Sequence, residues 1–153
     1  MNLQESESVE LKTSFSDEVI ISLVAFANTN GGSVYIGVKD NGEIQGVELG
    51  KETIQNWLNE IKVKTQPSII PLIDIIEEKG KQIVCIRVNE FPVKPLSFKG
   101  RFYNRVNNSN HQLSVSEISD VYLQSMQYSW DSYAYADATF DDIDEETVQH
   151  FLK

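Results

Sequence analysis

The sequence is poor in the residues that build metal centres and disulfide frameworks, with one cysteine and two histidines among 153 residues. A single thiol forms no internal disulfide, and Cys85, His111 and His150 are too small a set for the usual tetrahedral zinc sites. Cys85 lies in the apolar run Ile83-Val84-Cys85-Ile86, where a thiol acts as a small hydrophobe, as in a reducing cytoplasm. No apolar run approaches the ~20 residues that cross a bilayer. The start, Met1-Asn2-Leu3-Gln4-Glu5-Ser6-Glu7, has neither the basic nor the apolar part of a secretory signal. The expectation is a cytoplasmic protein with no membrane partner. Phosphate-cradling glycine loops of the GxxxxGK[ST] and GxGxxG kinds are missing, which leaves nucleotide binding without support. No serine stands in a hydrolase context, and His111 and His150 have no acid–base partner at readable spacing, so nucleophilic catalysis is equally unsupported.

Positive charge is scarce too. Thirteen Lys and Arg face 23 Asp and Glu, and the net charge of -10 argues against a generic binder of nucleic acid or anionic membrane. The charge is unevenly spread, however. Asp131 to Lys153 holds seven acids and one base, a net of -6, which leaves -4 for residues 1–130. Between Glu90 and Glu117 there is no acid, and Lys94, Lys99, Arg101 and Arg105 fall there among Phe91, Phe98, Phe102, Tyr103 and His111. Such a stretch suits phosphate contacts with bases stacked on its aromatics. It suits equally a solvated face whose aromatics turn inward. Four cations predict weak, strongly salt-dependent binding, with the acidic tail a competitor for the same patch.

What is present is enough apolar residue, 41%, to fill the core of one domain. The chain is organised around residues 25–38. Upstream, Ile20, Leu23, Val24 and Ala27 recur at helical spacing, and downstream Ser33-Val34-Tyr35-Ile36-Gly37-Val38 reads as a core strand. Asn30-Gly31-Gly32 supplies the conformations that end the helix, and Asn28 fixes the turn with its side chain. This turn follows a helix C-terminus, whose dipole repels anions, so Asn28, Gly31, Gly32 and Gly37 read as structural rather than phosphate-binding.

Elsewhere the alternation Ser8-Val9-Glu10-Leu11-Lys12 predicts a first strand with Val9 and Leu11 inward and Glu10 and Lys12 on the other face. Ser14 or Ser16 caps the first helix. Asn41-Gly42 predicts a tight hairpin returning through Ile44–Val47. A second helix is expected over Lys51–Lys64 with Ile54, Trp57, Leu58 and Ile61 on one face, closed by Pro67 and Pro71. Ile69–Ile76 and Gln82–Val88 form a second hairpin around Glu78-Lys79-Gly80-Lys81. Arg101–Val106 is a further strand, Asn107–Asn110 a polar turn, and Ser114 with Glu117 a capping box opening a helix with Ile118, Val121, Tyr122 and Met126. The fold class is α+β, a mixed sheet with hairpins flanked by about three helices. Residues 128–153 read as an acidic linker followed, at Glu145–Leu152, by the first turns of a segment that continues elsewhere.

Several short motifs occur in a characteristic order: Glu5-Ser6-x-x-Val9-Glu10-Leu11-Lys12, Ala25–Gly32, Ile36-Gly37-Val38-Lys39-Asp40, Ile44-Gln45-Gly46, Tyr103-x-Arg105-Val106 and Ser116-Glu117-Ile118. Over roughly residues 3–127 the chain resembles the Schlafen AlbA-like DNA-binding domain family, found in bacterial transcription-regulator-like proteins and in the Schlafen proteins. The resemblance implies an α+β nucleic-acid-binding domain over residues 1–127 that takes DNA or RNA and belongs to a longer regulator. It also implies an alternative. In Schlafen-type ribonucleases paired glutamates and an acid after the central strand hold a divalent metal, Mg or Mn, and the nearest matches are Glu5, Glu10 and Asp40, with Lys12 countering the charge on the leaving group. Read from the residues alone, Glu10 and Lys12 are a same-face pair on a half-exposed strand. The binding reading rests instead on Lys94, Lys99, Arg101, Tyr103 and Arg105. A third reading is a protein-interaction module, as a homo-oligomer or as a partner for the rest of the parent chain.

Overall fold

The first helix is apolar on nearly every side, and the structure explains why. In this computed structural model, which describes residues 3–140 and the side chains of residues 3–127, helix α1 (Asp17–Ala27) lies between two four-stranded sheets. Val19, Ile20, Leu23, Val24, Phe26 and Ala27 are all fully buried along it. A surface helix needs only one apolar stripe, whereas one enclosed on both sides must be apolar on both.

The first sheet has the order β1-β2-β5-β4, built from β1 (Val9–Lys12), β2 (Gly32–Ile36), β4 (Leu72–Glu78) and β5 (Lys81–Val88). It is mixed: β1 runs parallel to β2, with Glu10 opposite Val34, while β5 is antiparallel to both β2 and β4. The second sheet, β3-β6-β7-β8, is antiparallel and comprises β3 (Thr65–Gln66), β6 (Ser97–Phe98), β7 (Arg101–Val106) and β8 (Ser109–Gln112). The architecture is the expected α+β, but the sheet is divided in two and the first helix lies inside rather than flanking it. Helix α2 (Thr53–Lys64) covers one end, turning Ile61 into the core with Ile54 and Trp57 packed against it. Trp57 stacks on Phe15 with ring centroids 4.8 Å apart.

Local sequence signals account for most of the boundaries. Ser16 is the cap of α1, its hydroxyl accepting from the Glu18 amide. The two-residue turn between β4 and β5 places Lys79 and Gly80 at φ 54° and 76°, the doubly left-handed turn whose twist matches a hairpin. Ser114 and Glu117 form the reciprocal capping box, 3.3 Å from the Glu117 amide to the Ser114 hydroxyl and 2.8 Å from the Ser114 amide to the Glu117 carboxylate.

Three expectations change. The Asn41-Gly42 hairpin is reduced to an isolated bridge, Val38 to Ile44, because the returning chain leaves the sheet and β5 takes the place beside β2. Ser109–Gln112 is a strand, β8, rather than part of a turn; it lacks apolar alternation because it is an exposed edge. Helix α3 (Val115–Phe140) runs on through residue 128, and it directs Tyr122 and Met126 outward, leaving Ile118 and Val121 half-buried. The expected helix start at Glu145–Leu152, with His150, lies outside the described residues. No helix among the described residues is long and apolar enough to cross a membrane.

Candidate functional site

The alternation along β1 predicts that Glu10 faces solvent beside Lys12, yet Glu10 is only 6% exposed. Its face of β1 is the face of Val34, which packs against α1, so the strand is covered on both sides and an acid must be held in the interior. Arg105 makes that tolerable. Its Nη1 donates to Glu10 Oε1 at 2.7 Å and to Asn110 Oδ1 at 2.8 Å, and its Nη2 donates to the carbonyls of Ser6 and Val9 at 2.9 and 3.3 Å. The guanidinium lies 4.7 Å from the centroid of the Phe26 ring. Its planar fork bonds the acid and two carbonyls at once, which an ammonium could not do.

Glu5 joins this group from the N-terminal segment. A hydrogen bond to Glu10, partial burial and the Glu10 charge raise its carboxyl to about 7, with Asp40 adding to the repulsion and the Leu11 amide opposing it. Glu5 and Glu10 are therefore together, and Asp40 is near enough for its charge to be felt. Lys12 reaches Glu18 at 3.1 Å and comes to 3.9 Å from Glu10. Among the described residues no three ligand-type side chains stand close enough to share a metal ion. One Glu10 oxygen is already committed to Arg105. The trio Glu5, Glu10 and Asp40 thus does not form a closed set for Mg or Mn.

The acid-free stretch is separated by the fold into interior and surface. Arg105 has no exposed side-chain surface with which to meet a phosphate. Tyr103 is 9% exposed and Phe98 4%, so neither ring is open for stacking. Lys94 is half-buried and paired with Glu90. Lys99 and Arg101 stay at the surface, brought together by the β6–β7 turn at Gly100, where Arg101 lies opposite Phe98 and the Lys99 ammonium sits over the Phe98 ring. A third cation joins them: Lys64, at the end of α2, accepts the Lys99 amide on its carbonyl at 3.0 Å. The Lys64 ammonium bonds Asp17 at 2.7 Å and Glu60 at 2.8 Å, and Asp17 also lies 3.5 Å from Lys99. The Lys64 hydrogen bond is the main reason the Asp17 carboxyl is pulled below its ordinary range. Lys64 carries no sequence signal, because only the β3–β6 pairing brings the end of α2 to this turn.

The turn after α1 is structural. Asn28 Nδ2 donates to the carbonyls of Leu96 and Tyr103 at 3.0 and 2.8 Å, and its Oδ1 accepts from the Leu96 amide at 2.7 Å, so it fastens the helix end to the second sheet. The Gly31 amide donates to the Phe26 carbonyl at 2.7 Å. A Cβ on Gly32 would stand 2.6 Å from the Phe26 ring, and Gly37 adopts φ 105°. His111, which has no visible partner in the sequence, meets Glu117 at 3.2 Å because β8 turns back onto the start of α3.

A central helix clasped between a mixed and an antiparallel sheet is the architecture of an α+β domain of the Schlafen AlbA class. The chain belongs to the Schlafen, AlbA_2 family, whose family model matches residues 5–114. Two solved structures share the fold. The DIP2311 protein from Corynebacterium diphtheriae matches with a TM-score of 0.62 at 20% identity, over 75% of this chain and 23% of that one. The N-terminal domain of an ATP-dependent DNA helicase RecG-related protein from Nitrosomonas europaea matches with a TM-score of 0.52 at 20% identity, over 73% and 86%. The chain thus spans less than a quarter of the Corynebacterium protein. No curated protein matches the sequence.

Proposed function

We propose that this domain is a nucleic-acid-binding module of a longer, cytoplasmic, transcription-regulator-like protein, and that it meets phosphates with Lys64, Lys99 and Arg101. The observation that carries this reading is the exposed pair Lys99 and Arg101 at the β6–β7 turn, with Lys64 held beside them by Asp17 and Glu60, in a chain whose net charge is -10. Membership of the AlbA_2 family and the likeness to the N-terminal domain of a DNA helicase RecG-related protein support it. Three phosphate contacts correspond to a slope of about -2.7 in log K against log salt, so binding to duplex DNA weakens roughly 40-fold between 50 and 200 mM salt. Fluorescence anisotropy with labelled duplex DNA and with RNA, across that salt range, tests this. Lys99→Ala with Arg101→Ala is expected to weaken binding at low salt and flatten the slope to about -0.9. Absence of binding at low salt, or an unchanged slope in the double variant, overturns the reading.

A further inference from the structure

Between α3 and the second sheet lies a cleft of about 700 Å³ that neither the cationic turn nor the carboxylate pair uses. Its volume falls in the range of small-molecule sites, roughly 300–1,000 Å³. It is lined by Asn104 of β7, by Phe91, Pro92 and Lys94 of the loop before β6, and by Gln124 and Ser125 of α3. The cleft is held at a fixed width. Ser125 Oγ donates to the Pro92 carbonyl at 3.0 Å and accepts the Lys94 amide at 3.0 Å, so α3 and the loop before β6 are pinned together.

The polar groups of this cleft are not equally occupied. Asn28 and Thr29, which also line it, spend their side chains on carbonyls and amides of the protein. Lys94 and Glu90 neutralise each other. Asn104 is different: its Oδ1 is buried with no hydrogen-bond partner. A buried polar atom without a partner costs free energy that a ligand can recover. Rotation of the amide about its last torsion exchanges donor and acceptor, so Asn104 offers either to an occupant. Gln124 brings a second amide to the lining, and Phe91 and Pro92 its apolar part.

We infer that this cleft takes a nucleobase, either of a free nucleotide or of an unstacked residue in a nucleic-acid strand. The amides of Asn104 and Gln124 each carry a donor beside an acceptor, the pattern of base edges, and the Phe91 ring in the same lining suits their faces. The neutralised Lys94–Glu90 pair fits a neutral heterocycle rather than a bare anion. For a strand as occupant, the inference rests on the nucleic-acid-binding reading above and adds the element that discriminates between bases.

The test is amide NMR of the full chain titrated with AMP, GMP, CMP and UMP, and with short single-stranded homopolymers of the same bases. Saturable shifts at Phe91, Asn104 and Ser125 that depend on base identity are expected. Asn104→Ala and Gln124→Ala should each weaken them roughly 3- to 10-fold, with the remaining spectrum reporting that the fold is kept. Shifts with the mononucleotides establish a free nucleotide as a sufficient occupant, and shifts with homopolymers alone establish a strand residue. Homopolymer binding through Lys99 and Arg101 with a silent cleft overturns this inference and leaves the interface reading intact. Mononucleotide shifts in the cleft without strand binding do the reverse. Cleft shifts that ignore both substitutions overturn the assignment to these amides.

Discussion

At the scale of single residues, the same side-chain chemistry is used in opposite ways within a few positions. Arg101 and Arg105 are four residues apart on one strand, yet one is exposed and the other has no exposed side-chain surface. Nothing in Tyr103-x-Arg105-Val106 announces that difference, because the partner that decides it, Glu10, is 95 residues away in sequence. The interior role of Glu10 was hidden for the same reason. Its neighbour Glu5 has a measurable consequence. Its carboxyl ionises near 7 in the folded chain against 4.5 ordinarily. Because the folded value is raised, its contribution is fully present below about pH 4.5 and is lost as pH rises through 7. At pH 8 two carboxylates then repel each other beside Asp40. Glu5→Gln removes that repulsion, with a gain at pH 8 of about 1 kcal/mol once solvent screening is allowed for. Urea unfolding of both proteins from pH 4.5 to 8 should show the gain emerging only in the upper half of the range. A constant difference across it would mean that Glu5 is not coupled to Glu10.

At the scale of elements, what periodicity and capping carry was legible and what long-range pairing decides was not. The helix, turn and strand of residues 17–36, the amphipathic α2, the β4–β5 hairpin and the Ser114–Glu117 box all follow from local chemistry. The β8 edge and the loss of the residue 38–47 hairpin depend on which strand lies next to which, information that no short window holds. The place of Asn104 was unreadable for a related cause: it lines a cleft together with α3 residues about 20 positions away in sequence. The Arg105 clasp is the strongest link between these elements, tying the N-terminal segment and β1 to β7 and β8. Removing either partner leaves a buried charge alone. Arg105→Ala or Glu10→Ala should each cost about 3–5 kcal/mol in denaturant unfolding, whereas the paired change Glu10→Leu with Arg105→Met should cost far less. A loss in the double variant equal to the sum of the two single losses would show that the pair is not coupled. The clasp also makes Glu10→Gln a poor probe of any nuclease activity. RNA cleavage that requires Mg or Mn and is lost in Glu5→Gln and Asp40→Asn would be the informative result.

At the scale of the whole molecule, charge is segregated rather than averaged. A net charge of -10 opposes any polyanion at long range, while Lys64, Lys99 and Arg101 gather at the β6–β7 turn with Asp17 and Glu60 as their only acidic partners among the described residues. Which wins depends on how far the acids lie from the turn relative to the screening length, about 10 Å at 0.1 M salt. The acids richest in number per residue are C-terminal. Residues 141–153 hold Asp141, Asp142, Asp144, Glu145 and Glu146 against Lys153, a net of -4, so ending the chain at Phe140 changes its charge from -10 to -6. If these acids compete with phosphate for Lys64, Lys99 and Arg101, the shortened chain should bind duplex DNA more tightly at 50 mM salt. The gain should shrink at 200 mM as screening removes the competition. The midpoint of urea unfolding is expected to stay where it is, since among the described residues the core clusters lie within residues 3–103. Anisotropy titrations of the two chains at both salt concentrations decide the matter. Equal affinity at 50 mM would mean that the acidic segment acts neither as a competitor nor as a long-range brake, and that the cationic turn alone sets the encounter with nucleic acid.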